Sequence, residues 1–172
     1  LLALGALPPP ARPRARKPNI VLVLADDLGY GDLGCSGQKR IRTPHIDALA
    51  AAGTRFTNAY AGTSTCAPSR SVLMTGQHTG HTTVRTNPGQ RPATLSTSDR
   101  TVAHVLGAAG YRTALVGKWH LEGEDADAGP LEHGFDEFYG WLNPVSASWS
   151  PSVYFPAKRI HNRELIELEA NR

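Results

Sequence analysis

Three short stretches of the 172-residue chain carry residue types able to do chemistry together. Asp26-Asp27 sets two carboxylates side by side directly after an apolar run. Adjacent carboxylates repel unless a cation neutralises them, and hard oxygen donors of this kind suit Ca2+ or Mg2+. An Asp-Asp pair alone also fits a turn or a helix cap. Thr65-Cys66-Ala67-Pro68-Ser69-Arg70 is sharper. Pro68 fixes its own φ and turns Ala67 away from the helical region, so a helix is expected to start at Pro68 and run to Met74. Cys66 then lies at a helix N-terminus, where unpaired N–H groups and the dipole favour an anion, and Arg70 adds a cation within the first turn. The plain alternative is a capping Thr65 or Cys66 beside a surface arginine. Lys118 and His120, in Gly117-Lys-Trp-His120, alternate along an extended segment, so both side chains are expected to face one cleft. A phosphate loop is excluded there, because Gly110 and Gly117 have the wrong spacing and Trp119 stands where Ser or Thr is needed. Two acids, a cysteine with an arginine, and a lysine with a histidine would together bind a divalent cation and a tetrahedral oxyanion.

These residues need strand ends to bring them together. Asn19 to Ala25 is continuously apolar and rich in β-branched residues, which reads as a buried strand ending at the acids. In open α/β sheets, ligands bind at the carboxyl ends of strands. Pro44 to Ala52 reads as a helix, with Thr43 as N-cap, Pro44 at the first position, Gly53 closing it, and Ile46, Leu49 and Ala50 as its apolar stripe. Thr54 to Tyr60 alternates as a second strand. Residues 76–98 form a polar, Gly/Thr-rich stretch too long for an idle connection. Asp99 can cap a helix running to Ala109 and closed by Gly110, before a third strand over Tyr111 to Val116. Gly134 to Leu142 suits a packed loop or short strand, and no periodicity is legible over 143–157. The alternation of strands and helices predicts a layered α/β/α sandwich on a mixed, mostly parallel sheet.

Composition fits an ordinary globular chain, with 40% hydrophobic and 19% charged residues, and with 17 Gly and 13 Pro that imply many loops. The basic excess sits in the N-terminal arm at Arg12, Arg14, Arg16 and Lys17. Without those four cations the formal charge falls from +3 to −1, which leaves no basic face for nucleic acid. Leu1 to Leu7 is too short to span a bilayer, and no stable membrane anchor is expected. Residues 1–17 are read either as the remnant of a secretory signal or as a disordered Pro/Arg leader, with residues 18–172 forming the folded portion. The first alternative predicts a secreted or periplasmic protein. Cys35 and Cys66 could form one disulfide in such a compartment, although the surroundings of Cys66 argue for chemistry and Cys35 suits a small buried or loop thiol.

Four ordered stretches resemble the sulfatase family, close to bacterial arylsulfatases within the alkaline phosphatase superfamily. They are Pro18 to Gly34, Thr43 to Ala50, Cys66 to Gly76, and Gly110 to His120. The resemblance implies that a separate maturation enzyme oxidises Cys66 to Cα-formylglycine, with Pro68 and Arg70 in the recognised signal. It implies that the aldehyde hydrates to a diol contacting the metal. It makes Asp26 and Asp27 metal ligands alongside residue 66, Arg70 the group holding formylglycine, Lys118 a sulfate-binding lysine, and His120 a partner of a diol hydroxyl. The substrate would be a sulfate ester, a small molecule or a sulfated glycan. Glu122 stands where the family pattern has Gly, and Ser146-Ala-Ser148 where related bacterial enzymes often have His-Ala-His. The family's remaining metal ligands, an Asp-Asn or Asp-His pair, and its second Lys and His lie far downstream in the family pattern, and no such pair occurs after residue 142. The chain is therefore expected to be an N-terminal portion, inactive alone. A phosphodiesterase or phosphonate hydrolase of the same superfamily and a non-catalytic remnant are the alternatives.

Overall fold

The computed structural model describes residues 16–87, 94–121, 129–142 and 158–167. The expectations for the leader over 1–15, for Glu122, and for 143–157 fall outside them. The chain divides into two compact units, Leu1–Thr54 and Arg55–Arg172.

In the first unit, α1 spans Pro44–Ala52, with Thr43 before it, Pro44 opening it and Gly53 closing it, as the sequence predicts. Asp47 stitches this helix to the single turn Gly34–Ser36. Its carboxylate accepts from the Cys35 N–H at 2.7 Å and from the Thr43 hydroxyl at 3.0 Å, and the Thr43 hydroxyl accepts from the Gly34 N–H at 2.8 Å. A Cβ on Gly34 would stand 2.4 Å from an Asp47 oxygen, so only glycine permits this approach. Cys35 is a half-buried loop thiol, and Cys66 is likewise a thiol. The apolar stripe of α1 is not a core face, since Ile46 and Leu49 are exposed and Ala50 is half-buried.

The expected strand over Asn19–Ala25 does not form. That segment has no regular structure, and Val21 and Val23 are 84% and 85% exposed. A run apolar on both faces specifies a strand only when neighbours cover both faces, and the described residues of its own unit supply none.

The second unit holds α2 (Cys66–Thr75), α3 (Val102–Ala108), β1 (Ala114–Lys118), β2 (Glu137–Trp141), β3 (Lys158–His161) and β4 (Glu164–Glu167). The sheet is mixed and runs in the order β1-β2-β3-β4. β1 lies parallel to β2, with Ala114 opposite Glu137 and Lys118 opposite Trp141, and the other two pairings are antiparallel. At the Gly117–Gly140 pair the backbones come so close that a Cβ on Gly140 would meet the Gly117 carbonyl oxygen at 1.9 Å. The β3–β4 turn rests on Asn162, whose φ of 56° is left-handed. Asn162 also locks the hairpin to β2, because its side-chain oxygen accepts from the Phe138 N–H at 2.9 Å and its own N–H donates to the Phe138 carbonyl at 2.7 Å.

Three further expectations are corrected. Residues 54–60 make a turn rather than a strand, with Phe56 and Tyr60 exposed, because alternation without a pairing partner does not hold a strand. The third strand starts at Ala114, not Tyr111. Thr101, not Asp99, precedes α3, and its N–H donates to Nδ1 of His104 at 3.2 Å. Asp99 closes the preceding turn instead, accepting from the Ser96 N–H at 2.9 Å and the Thr83 hydroxyl at 2.8 Å. Gly110 ends α3 with φ 80°, as expected.

The core of this unit gathers Ala67, Met74, Val84, Leu95, Trp119 and Leu121, with Leu115, Phe135 and Leu142 packed against them. It joins the start of α2 to the segment leaving β1. A second clamp holds the loop into β2, where the Asp136 carboxylate accepts from the Thr113 N–H at 2.7 Å and the Thr113 hydroxyl at 3.0 Å. Those two bonds, backbone first, hold the Asp136 carboxyl below the usual range, helped by the charge of Arg112 and opposed by desolvation.

Candidate active site

α2 begins at Cys66, two residues earlier than predicted, with Thr65 extended before it. The constraint that a proline places on its predecessor is a preference, and here Ala67 is helical. Pro68 sits at the third helical position, where its missing N–H would have had no intrahelical partner. Gly76, with φ 68°, closes the helix. Cys66 is half-buried at the first helical position, and Ala67 and Pro68 behind it are buried.

Arg70 follows one turn later and is only 8% exposed, which removes the surface-charge alternative. Its guanidinium donates to the backbone carbonyl of Lys118. This bond joins two of the sequence-predicted positions directly: the cation beside the start of α2 and the last residue of β1.

The segment after β1 is fixed by its backbone. The Trp119 N–H donates to the Trp141 carbonyl at 3.1 Å, the His120 N–H to the Leu142 carbonyl at 2.7 Å, and the Leu95 N–H to the Leu121 carbonyl at 3.1 Å. Trp119 is fully buried, with its ring centroid 5.5 Å from that of His133 and 6.2 Å from that of Phe135. The expected alternation of Lys118 and His120 on one extended face is corrected. Gly117 has φ 111° and His120 has φ 58°, so the strand geometry that alternation requires fails on both sides of Lys118. Lys118 stays half-buried, whereas His120 is 2% exposed.

Asn87 was not legible as a site residue. Its side-chain oxygen accepts from the Ala67 N–H at 3.1 Å and lies 3.6 Å from Cys66 Sγ. The local signal, an Asn-Pro pair, marks only a turn. A cap supplied from 20 residues away leaves no local pattern.

Asp26 and Asp27 lie in the first unit, both exposed, and Asp27 has a left-handed φ of 61°. Asp tolerates that region, and the bend breaks the alternation that would send neighbouring side chains to opposite sides of a strand. The pair fits a hard cation in donor type. It could supply at most about four of the roughly six to eight oxygens that Ca2+ takes. Among the described residues no group of three or more His, Cys, Asp and Glu stands together as a metal site.

A family model described as Sulfatase matches residues 18–167. The chain belongs to the sulfatase family. This sulfatase chain is 42% identical over 175 residues to the steryl-sulfatase of Mus musculus, a match covering 92% of the chain and 28% of that protein. It is 47% identical over 135 residues to arylsulfatase A of Homo sapiens, covering 73% of the chain and 25% of that protein. The chain thus spans about a quarter of the length of these relatives. Its fold is similar to the crystal structure of Ps i-CgsB in complex with k-i-k-neocarrahexaose, with a TM-score of 0.73 and 31% identity over 89% of this chain and 38% of that one. The α/β architecture with a mixed sheet is therefore that of the sulfatases, an alkaline phosphatase-like fold.

Proposed function

We propose that this chain is the N-terminal portion of a sulfuric ester hydrolase in which residue 66 is the nucleophile. The observation that carries the reading is the junction at α2, where Cys66 opens the helix and buried Arg70 reaches the backbone of Lys118. In this reading a separate maturation enzyme oxidises Cys66 to formylglycine. One hydroxyl of the hydrated aldehyde gives up its proton and attacks sulfur, the ester S–O bond breaks and the alcohol leaves with a proton. The other hydroxyl then loses its proton, the C–O bond to sulfate breaks, and the aldehyde is restored. A plain Ser or Cys would be left as a stable sulfated adduct.

The Arg70 guanidinium holds residue 66 and the sulfuryl oxygens. The Lys118 ammonium binds sulfate as a point charge, so both cations oppose the negative charge that gathers in the transition state. His120 accepts or returns the proton of a hydroxyl at residue 66. Asp26 and Asp27 would hold the cation, Ca2+ before Mg2+, which when bound supplies further charge neutralisation and acidifies a hydroxyl. The substrate class is a sulfate ester, either a small molecule or a sulfated glycan. Support comes from the names of the steryl- and arylsulfatase relatives and from the oligosaccharide bound to the similar structure. Among the described residues no helix is long and apolar enough to cross a membrane, and the apolar start of the chain supports secretion or export to a periplasm.

The test is hydrolysis of 4-nitrophenyl sulfate by the full-length protein co-expressed with a maturation enzyme. Turnover should require Cys66, and mass spectrometry of the peptide around residue 66 should find an aldehyde. Equal turnover by Cys66→Ala would sink the proposal. A faster rate on a phosphate diester than on the sulfate would transfer the site to the phosphodiesterase class.

A further inference from the structure

We infer that Asn87 is the positioning residue for the side chain at position 66, a role that rests on the nucleophile assignment above. The start of α2 explains why an outside group is needed. The Thr65 side chain makes no capping hydrogen bond, and Pro68 offers no N–H at the third helical position. A capping oxygen is ordinarily met by the N–H of the second or third helical residue, so Ala67 provides the available donor. The Asn87 oxygen takes that N–H at 3.1 Å. Because only the oxygen of a carboxamide accepts, this bond fixes which end of Asn87 faces the helix.

The same oxygen lies 3.6 Å from Cys66 Sγ, with the thiol as donor. A neutral acceptor anchored to the backbone of residue 67 thus awaits the hydrogen that residue 66 carries. That hydrogen belongs to the thiol before oxidation and to a hydroxyl of the hydrate after it. The approach of Asn87 is itself held. The Ser71 and Thr82 hydroxyls hydrogen-bond in the buried interior beneath α2, Arg85 Nε donates to the Thr82 carbonyl at 3.1 Å, and Val84 is fully buried. The segment from Thr82 to Asn87 therefore delivers the carboxamide from a rung inside the core.

Asn87→Asp separates positioning from capping, because a carboxylate still accepts from Ala67 but sets a negative charge beside residue 66. In the full 172-residue chain, with Cys66 left as a thiol and Cys35→Ser in the background, iodoacetamide alkylation is measured at one pH. Asn87→Asp should slow alkylation of Cys66 about tenfold, because a negative charge then stands beside the reacting sulfur. The melting temperature should stay at the parent value. Unfolding would expose the half-buried thiol and speed the reaction, so a slower rate cannot come from misfolding. A parental or faster rate overturns the contact. In the full-length enzyme with an aldehyde verified at residue 66, Asn87→Ala should lower kcat at least tenfold with KM within about twofold, and an unchanged kcat overturns the role. If the parent enzyme hydrolyses no sulfate ester, the sulfatase reading has failed and the positioning role fails with it, while the alkylation rates still decide whether the contact exists.

Discussion

Arg70 donates to the Lys118 carbonyl from a site almost closed to water, and the planar fork of a guanidinium suits such a bond better than an ammonium does. A cation is thus held beside the opening turn of α2, the turn that presents Cys66. Asp136 shows the opposite sign in a structural role. Its two bonds from Thr113 favour the carboxylate, so its folded pKa lies below the unfolded one. Such a group contributes stability that is fully present above the unfolded value, about 3.9, and lost as pH falls through the folded value. Asp136→Asn should therefore lower the urea midpoint at pH 7, with the difference from the parent chain closing in acid below that window. A constant difference from pH 7 to pH 2 would assign the effect to something other than charge.

Elements bounded by their own residues were legible in the sequence. Pro44 and Gly53 frame α1, and Gly110 ends α3, because caps and left-handed turns act through adjacent backbone. Elements that depend on distant partners were not. The β3–β4 hairpin escaped notice because its strands are short and its lock, Asn162, acts on Phe138 of another strand. Asn19–Ala25 reads as a buried strand, yet hydrophobic pattern alone cannot supply the neighbour a strand requires. In the candidate site, Cys66, Arg70 and Lys118 were identified by type and spacing, while the left-handed turn at His120 and the reach of Asn87 arise only from tertiary packing. The β1–β2 pair yields a sharp prediction at this scale. Gly140→Ala places a methyl group into the Gly117 carbonyl, and the two backbones must part. A loss of about 1–3 kcal/mol or more is expected in denaturant unfolding. A variant with parental stability would show that the close approach does not exist.

At the scale of the whole chain, the two units differ in what they bury. The second unit seals Trp119, Phe138, Leu95 and Leu121, whereas the first leaves Ile20 to Leu24 open to solvent. Contiguous exposed apolar residues promote association. The 172-residue chain alone should bind a hydrophobic dye and scatter light as its concentration rises. Val21→Lys with Val23→Lys should reduce both signals while leaving the near-UV spectrum of the buried tryptophan intact. Undiminished scattering would place the adhesive surface elsewhere. The segment Lys118–Leu121 has a further bearing on how this scaffold could be altered. Three of its four side chains are sealed inside, and only Lys118 remains half-open. A randomised library across these four codons would lose most members to misfolding before any selection for a new anion began. Variation confined to codon 118 would keep the scaffold intact, so under the proposed sulfate-binding role of Lys118 changes in ligand preference have a narrow gate there.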